Sequence, residues 1–363
     1  MCIRDRVEGG VRLPTTFNGT EFFVVFDHKK KRLDKRFAAY RRSLRNVQNE
    51  NIVTIPNRRI QETTFISYFE ARYPLDIFRS IRGSATLRLD NRIQLSTDAF
   101  TVNIPVDPDQ RFGLKLEYVF DNTMDVALNI KHGSRYKIFA ELVKRFDVEL
   151  VDNFKVDLNE GFMTVLGVDA RHYQRLDKHS ILAARFAAAT TFGSERILYL
   201  LGGVDGWLFS SFNDEIPFPQ DDAFAYQTLA SNLRGFRNNI RNGNSYALAN
   251  VELRVPIIKY FSNRIRNSFF RNLQLIGFFD VGTAWQGPTP FADENPLNTI
   301  FISNPQSPVS VKVNYFRDPV VAGYGAGIRS VLFGYFVRLD YARGIETRVV
   351  QDPRIYFSLG MDF

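Results

Sequence analysis

Four histidines and one cysteine are the side chains whose chemistry most often serves catalysis or metal binding. His28, His132, His172 and His179 show no metal-ligand spacing on a shared strand face, and the single Cys2 excludes a disulfide framework and a cysteine zinc site. A hydrolase would need a nucleophile beside a histidine, and no sequence feature identifies one for His172. The sequence therefore predicts a protein that is not an enzyme, with no catalytic residue, no metal and no cofactor.

A glycine-rich stretch at 323–327 superficially matches a phosphate-binding loop. That type of loop needs a following helix whose N-terminus faces the phosphate. Here Arg329 and Val331 continue an extended pattern, so nucleotide binding is not predicted. The glycines instead favour a bent strand, or a strand whose backbone another segment approaches closely.

The formal net charge is +8. A basic balance can indicate a nucleic-acid partner, but here the basic residues recur singly inside alternating segments and in short turns. Without a groove-reading or stacking module, we predict no nucleic-acid binding.

The elements that would position these residues are strands. The chain has 34 Phe and 15 Tyr, and no run approaches the 18 apolar residues of a transmembrane helix. Its end alternates with a period of two, which places apolar residues on one face of a strand and smaller or polar ones on the other. The first set is Ile355, Phe357, Leu359, Met361 and Phe363, and the second is Tyr356, Ser358, Gly360 and Asp362.

Similar segments recur along the whole chain, and the connections between them alternate between short and long. Strands are predicted near 20–27, 34–43, 60–73, 81–90, 111–121, 135–146, 161–174, 180–192, 245–255, 272–282, 320–330, 334–343 and 354–363. Short connections fall near 28–33, 74–80, 131–134, 175–179 and 331–333, whereas the connection at 256–271 is long for its position. Short periplasmic turns that alternate with long extracellular loops are typical of membrane barrels.

The sequence therefore predicts an all-β fold, an antiparallel transmembrane outer-membrane β-barrel with about thirteen strands present. Its last strand would carry the terminal assembly signal, with Tyr356 and Phe363. Asp280 would face the lumen, because the opposite face of 272–282 is the more uniformly apolar one and a charge against lipid is costly. An unpaired carboxylate there would require a partner.

Five motifs follow one another in the second half of the chain. They are Asn232-Leu233-Arg234-Gly235-Phe236-Arg237, Asn250-Val251-Glu252-Leu253-Arg254-Val255-Pro256, 277–285 (GFFDVGTAW), 323–329 (GYGAGIR) and 338–342 (RLDYA). In this order, and with a terminal Phe, they resemble the barrel domain of the BamA/TamA family in the bacterial surface antigen superfamily. The resemblance is specific from about residue 193 to 363, and earlier residues match only in their strand pattern.

This resemblance implies a sixteen-stranded barrel whose sixth extracellular loop folds back into the lumen. The loop motif would be Leu233, Arg234, Gly235 and Phe236, with Asp280 and Glu252 as lumenal partners and Gly277, Phe279 and Gly282 as the strand motif. Arginine suits this role because its planar, permanently charged group pairs with carboxylates in confined sites. About three family strands and the periplasmic POTRA repeats would be absent from this sequence.

The first residues are predicted to be a non-native or disordered start. Residues 1–19 contain no apolar segment of a secretory signal, and 20–363 would form the barrel domain, including the long inward-folded loop 193–244. The sequence is therefore interpreted as a fragment of a longer protein. Without the early strands, the 354–363 strand would have an unpaired edge in lipid.

The predicted function is that of an outer-membrane barrel in a protein assembly, insertion or translocation machine of the bacterial outer membrane. Its partners would be outer-membrane lipid, client outer-membrane or secreted proteins, and accessory lipoproteins. The alternative is a passive pore or structural barrel attached to a lost extra-membrane module. A lipid-active enzyme is a third and more distant alternative.

Overall fold

The computed structural model describes most of the chain. The described residues are 5–12, 19–29, 32–47, 59–95, 109–149, 155–157, 161–213, 215–218, 224–230, 232–261, 265, 267–292, 295, 297, 299–303, 310–314 and 317–363. Contacts between residues divide the chain into two compact units. Unit 1 comprises Met1–Val119 and Phe139–Thr164, and unit 2 comprises Phe120–Ile138 and Val165–Phe363.

Strands dominate both units. In chain order they are β1 (Asp5–Arg12), β2 (Gly19–His28), β3 (Asp34–Val47), β4 (Arg59–Pro74), β5 (Arg79–Leu95), β6 (Asp109–Asp121), β7 (Met124–Ala127), β8 (Ile130–Glu149), β9 (Lys155–Asp157), β10 (Phe162–Arg175), β11 (Ile181–Gly193), β12 (Arg196–Leu201), β13 (Phe224–Ala230), β14 (Arg241–Gly243), β15 (Ser245–Val255), β16 (Gln274–Trp285), β17 (Thr299–Ser303), β18 (Ser310–Asn314), β19 (Val321–Leu332), β20 (Tyr335–Glu346), β21 (Val349–Val350) and β22 (Arg354–Leu359). Two short helices, α1 (Ile257–Phe261) and α2 (Ser268–Arg271), lie between β15 and β16. No helix among the described residues is long and apolar enough to cross a membrane.

Unit 1 contains the antiparallel run β1–β2–β3–β4–β5. One face of this run exposes large apolar side chains such as Phe22, Val24 and Phe26. The other face buries charge: Asp90 accepts hydrogen bonds from Thr64 Oγ1 at 2.8 Å and from Arg88 Nε at 2.6 Å. Apolar residues outside and paired charges inside are the arrangement of a membrane barrel wall.

Unit 2 contains the antiparallel run β11–β15–β16–β19–β20–β22. Its strands also expose apolar side chains and bury charged ones. In β15, Glu252 and Arg254 are buried, and Val251 and Leu253 are exposed. Alternation with a period of two is sufficient to separate these faces. The buried face of this run carries the polar residues that form the candidate site.

The long connection from β11 to β15 folds onto that buried face. It contains a small sheet in which β12 pairs in parallel with β13 and antiparallel with β14. Leu201, Leu233 and Phe236 from this connection pack in one cluster with Leu248 of β15 and Val321 of β19. The connection is therefore packed as a layer on the strands of unit 2, with which it shares a hydrophobic cluster.

Each of the strands predicted from the sequence overlaps a strand of the structure, and the alternation in β15 gives its bounds without error. The region 1–19 differs from the predicted disordered start, because Asp5–Arg12 forms β1 and pairs with β2 along its whole length. Residues 1–4 and 13–18 lie outside the described residues. The predicted connection at 131–134 is also shifted, since β8 begins at Ile130 and the turn of the β7–β8 hairpin lies at 128–129.

Candidate functional site

Arg234 and Asp280 form a two-pronged ion pair on the buried face of unit 2. Arg234 Nε donates to Asp280 Oδ2 at 2.6 Å, and Nη2 donates to Oδ1 at 2.7 Å. The main-chain N–H of Arg234 adds a third bond to Oδ2 at 3.1 Å, and Asn250 Nδ2 donates to Oδ1 at 2.8 Å. The guanidinium carbon also lies 3.6 Å from the centre of the Phe278 ring. This geometry uses the planar fork of arginine, which lysine cannot reproduce.

Glu252 extends the pair into a longer network. Its Oε1 accepts from Arg234 Nη1 at 2.7 Å, and its Oε2 accepts from Arg254 Nε at 2.9 Å. All of these side chains are almost fully buried. Because every charge has an opposite partner in hydrogen-bond contact, the network avoids the desolvation penalty of an isolated buried ion.

The same loop segment lies in close contact with the backbone of β19 and β20. Gly235 has a φ of +98°, a conformation that glycine adopts readily. A Cβ on Gly323 of β19 would overlap the main-chain oxygen of Arg234, and one on Gly344 of β20 would overlap the Phe236 ring. The glycine-rich strand thus serves close approach of the loop, as its sequence favours.

Tyr356 of β22 contacts the loop motif directly. Its hydroxyl accepts from the N–H of Gly235 at 2.8 Å and donates to the main-chain oxygen of Phe236 at 2.8 Å. The Tyr356 ring packs on Trp207 with ring centres 4.8 Å apart. The sequence predicts Tyr356 as part of the terminal assembly signal and does not predict this contact, although Tyr356 stands on the polar face of the last strand.

A second part of the same loop pairs with β22, along the edge that faces away from β20. The N–H of Leu208 donates to the oxygen of Phe357 at 3.0 Å, and the N–H of Leu359 donates to the oxygen of Gly206 at 3.1 Å. Trp207 lies opposite Ser358 in an antiparallel bridge. On its other edge β22 pairs with β20. Residues 206–208 therefore occupy positions that a further strand would take.

The end of the chain departs from the predicted ten-residue strand. β22 ends at Leu359, and Gly360 turns the backbone with a φ of +108°. Asp362 then accepts from Arg329 Nε at 2.9 Å, and the main-chain oxygen of Phe363 accepts from Arg254 Nη2 at 3.2 Å. Phe363 is consequently buried and does not share the exposed face of Ile355, because these ion pairs and hydrogen bonds hold the tail on the buried side.

The strand motif divides between the two faces of β16. Gly282 packs beneath Leu248 and Leu201, whereas Phe279 is exposed and Gly277 has open space where a side chain would stand. Only Gly282 of the three therefore contributes to seating the loop. Arg254 belongs to the network and Arg329 forms a separate ion pair with Asp362. Neither was predicted as a site residue, although isolated arginines on alternating strands were a visible signal.

His172 has a neighbour that the sequence did not reveal. Ser134 Oγ lies 2.8 Å from its Nδ1. Within the described residues no carboxylate contacts this histidine, so the third member of a hydrolytic triad is not seen there. The described residues also contain no group of three or more potential metal ligands among His, Cys, Asp and Glu.

Comparisons with known proteins define the class of protein to which this fold and site belong. The Omp85 superfamily domain matches residues 75–363. Since this match covers well over half of the chain, the chain belongs to the Omp85 superfamily. The family resemblance and the antiparallel outer-membrane β-barrel fold predicted from the sequence are thereby confirmed.

Solved structures with a similar fold include BamA and CdiB. BamA from Haemophilus ducreyi lacking POTRA domains 1–3 is 12% identical with a TM-score of 0.54, covering 94% of this chain and 62% of that chain. CdiB from Acinetobacter baumannii is 10% identical with a TM-score of 0.51, covering 94% and 50%. CdiB from Escherichia coli is 11% identical with a TM-score of 0.51, covering 97% and 55%. These identities show the fold alone.

The chain spans 50–62% of the length of these solved chains. Among curated proteins, no significant match was found.

Proposed function

We propose that this chain is the membrane barrel of a machine that inserts other proteins into the bacterial outer membrane or moves them across it. The observation that carries the proposal is the link between the Arg234 site and the edge strand. Arg234 is fixed to β16 and β15 through Asp280 and Glu252, and the adjoining Gly235 and Phe236 are fixed to β22 through Tyr356. Movement of the loop and movement of the last strand are thereby coupled.

An edge strand is a template for pairing with another chain. In the part of the chain that the structure describes, residues 206–208 cover the edge of β22 opposite β20, through the two hydrogen bonds described above. A cover of this size can be exchanged for an incoming client strand at small cost in hydrogen bonds. A passive pore has no need for a buried network that connects a loop to a strand edge, which favours the machine over the pore.

The clients would be outer-membrane or secreted proteins that present an unpaired β-strand, with accessory lipoproteins as further partners. The work is non-enzymatic, since strand exchange makes and breaks hydrogen bonds and leaves covalent bonds unchanged. The bacterial outer membrane is the location in which such an exchange would occur.

Client folding in liposomes tests the proposal. The purified protein is reconstituted, an unfolded outer-membrane β-barrel client is added, and its folded fraction is followed over time by heat-modifiable electrophoretic mobility. We expect faster client folding than in empty liposomes, and a slower rate with Arg234→Ala than with the outward-facing control Gly277→Ala. Equal rates with and without the protein, or ion-selective conductance without any effect on clients, would favour a passive pore.

A further inference from the structure

The turn that joins β15 to β16 exposes an unusual number of aromatic rings. We call the described residues of this connection, 256–261, 265 and 267–271, the aromatic-basic turn; it contains α1 and α2, neither of which buries any residue. The exposed fractions are 46% for Tyr260, 83% for Phe261, 37% for Phe269 and 48% for Phe270. Clustered exposed apolar surface of this kind marks an interaction site.

Hydrogen bonds hold the described part of this turn in place. Ser330 Oγ of β19 donates to the main-chain oxygen of Phe269 at 2.6 Å. Asn267 caps α2 by accepting from the N–H of Phe269 at 2.8 Å. Tyr260 donates to the Asp177 carboxylate at 2.6 and 2.7 Å. The rings are therefore presented by a fixed scaffold, which lowers the entropy lost when a ligand binds them.

The position of the turn matches the boundary of the apolar wall. Leu253 is exposed near the end of β15, just before α1, and Leu275 is exposed near the start of β16, just after α2. Aromatic side chains concentrate at the level where hydrocarbon gives way to headgroups. The turn thus lies where lipid headgroups would meet the protein.

The connection from β15 to β16 carries only positive charges in its own sequence. The sequence of 256–271 contains Lys259, Arg264, Arg266 and Arg271 and no acidic residue. In the described part of the chain, no carboxylate pairs with Lys259 or Arg271. Burial lowers the pKa of Lys259, and repulsion by Arg271 lowers it further. The Asp177 carboxylate contacts this turn through Tyr260 and forms no ion pair with either cation. Two mutually repelling cations without an ion-pair partner form a site that favours an anion.

We propose that the aromatic-basic turn binds a phospholipid with a negatively charged headgroup, in the leaflet on the side of the short turns. Lys259 and Arg271 take the phosphate, and Phe261 and Phe270 contact the start of the acyl chains. The combination of exposed rings and cations is the one that holds protein segments at anionic membrane surfaces. This site is independent of client handling and would anchor the barrel at a fixed depth.

Native mass spectrometry of the detergent-solubilised protein provides the test. Phosphatidylglycerol is added as the anionic probe, phosphatidylcholine as the zwitterionic one, and inorganic phosphate as a competitor. We expect wild-type protein to retain phosphatidylglycerol in preference to phosphatidylcholine. Each of Lys259→Gln and Arg271→Gln should weaken retention about fivefold, the ratio equivalent to roughly 1 kcal/mol per surface charge.

Lys178→Gln is the matched control, because Lys178 is exposed in the short turn between β10 and β11 but lies outside the aromatic-basic turn. We expect it to retain phosphatidylglycerol as the wild type does. Equal losses in all three variants would show diffuse charge attraction and overturn the proposal, as would full retention in Lys259→Gln and Arg271→Gln. Displacement of the lipid by millimolar inorganic phosphate would assign the site to free phosphate and would also overturn it.

Discussion

The pairing of Arg234 with Asp280 and Glu252 concentrates three charges in a site with almost no exposure to solvent. A buried ion pair adds little net stability relative to an apolar packing, because both ions lose their hydration. Removing one partner is different, since the remaining charge stays buried without compensation. The value of the site therefore lies in the position that it imposes on the loop.

Arg234→Ala should lower the free energy of unfolding by about 3–5 kcal/mol, because Asp280 would remain buried without its cationic partner and Glu252 would keep only Arg254. Asp280→Asn should also destabilise, and the double variant should be little worse than Arg234→Ala. Urea unfolding of the wild type, both single variants and the double variant completes the cycle. Additive losses would show that the two side chains do not interact in the folded protein.

Tyr356→Phe isolates the contribution of one hydroxyl. The variant keeps the ring that packs on Trp207 but leaves the buried N–H of Gly235 without its partner. The expected loss is about 1–3 kcal/mol in the free energy of unfolding. Urea titration measures it, and an unchanged midpoint with an unchanged slope would contradict the link between β22 and the loop.

At the scale of elements, the glycines of β16 and β19 offer a direct test of loop seating. Gly323→Ala should destabilise by about 1–3 kcal/mol, since the added methyl meets the main-chain oxygen of Arg234. Gly277→Ala is the matched control, because its methyl would enter open space on the outward face, and it should stay within about 0.5 kcal/mol of the wild type. Thermal unfolding of both variants compares them, and equal shifts would argue against close seating of the loop on β19.

The turn between β10 and β11 is fastened to α1 in a pH-dependent manner. The hydroxyl of Tyr260, followed by the N–H groups of Ser180 and His179, lowers the pKa of Asp177 from 3.8 to about 2. The stabilisation by this contact is therefore complete above about pH 3.8 and is lost as the pH falls through about 2. Tyr260→Phe should raise the pKa of Asp177, measured by a carboxyl NMR titration. An unchanged titration would mean that the tyrosine does not contact the carboxylate in solution.

Several elements were predictable from the sequence because one of their faces is apolar and the other polar. β15 and β20 show this alternation clearly, as does the face of β16 that carries Asp280. β12 was missed because nearly all of its residues are buried on both faces, which removes the alternation. Helices of five and four residues are too short to show a period, so α1 and α2 were missed as well. The inward turn of Phe363 depends on partners far away in sequence, Arg254 and Arg329, which no local pattern reveals.

At the scale of the whole molecule, the loop and the barrel wall share one charge network. Arginine and carboxylate groups alternate from Asp280 through Arg234 and Glu252 to Arg254, and Asp362 joins Arg329 at the end of the chain. Releasing one member should therefore free more than one segment.

Arg234→Ala should raise the conductance of the protein in planar lipid bilayers, because the loop would no longer be fixed against the buried face of the wall. Gly277→Ala should leave the conductance as in the wild type, since it lies on the outward face. Single-channel recordings of wild type and both variants make the comparison. Identical conductance in all three would indicate that the loop does not obstruct the passage.

The pairing of residues 206–208 with β22 also sets a threshold for whatever else would bind there. A tethered segment competes at an effective concentration that reaches the millimolar range even for a flexible tether. A free strand must therefore outcompete a rival that never diffuses away. A weakly binding strand would not displace this intramolecular competitor, and only a strand with high affinity for the edge would bind. The loop would therefore select incoming strands by their affinity and not by their size.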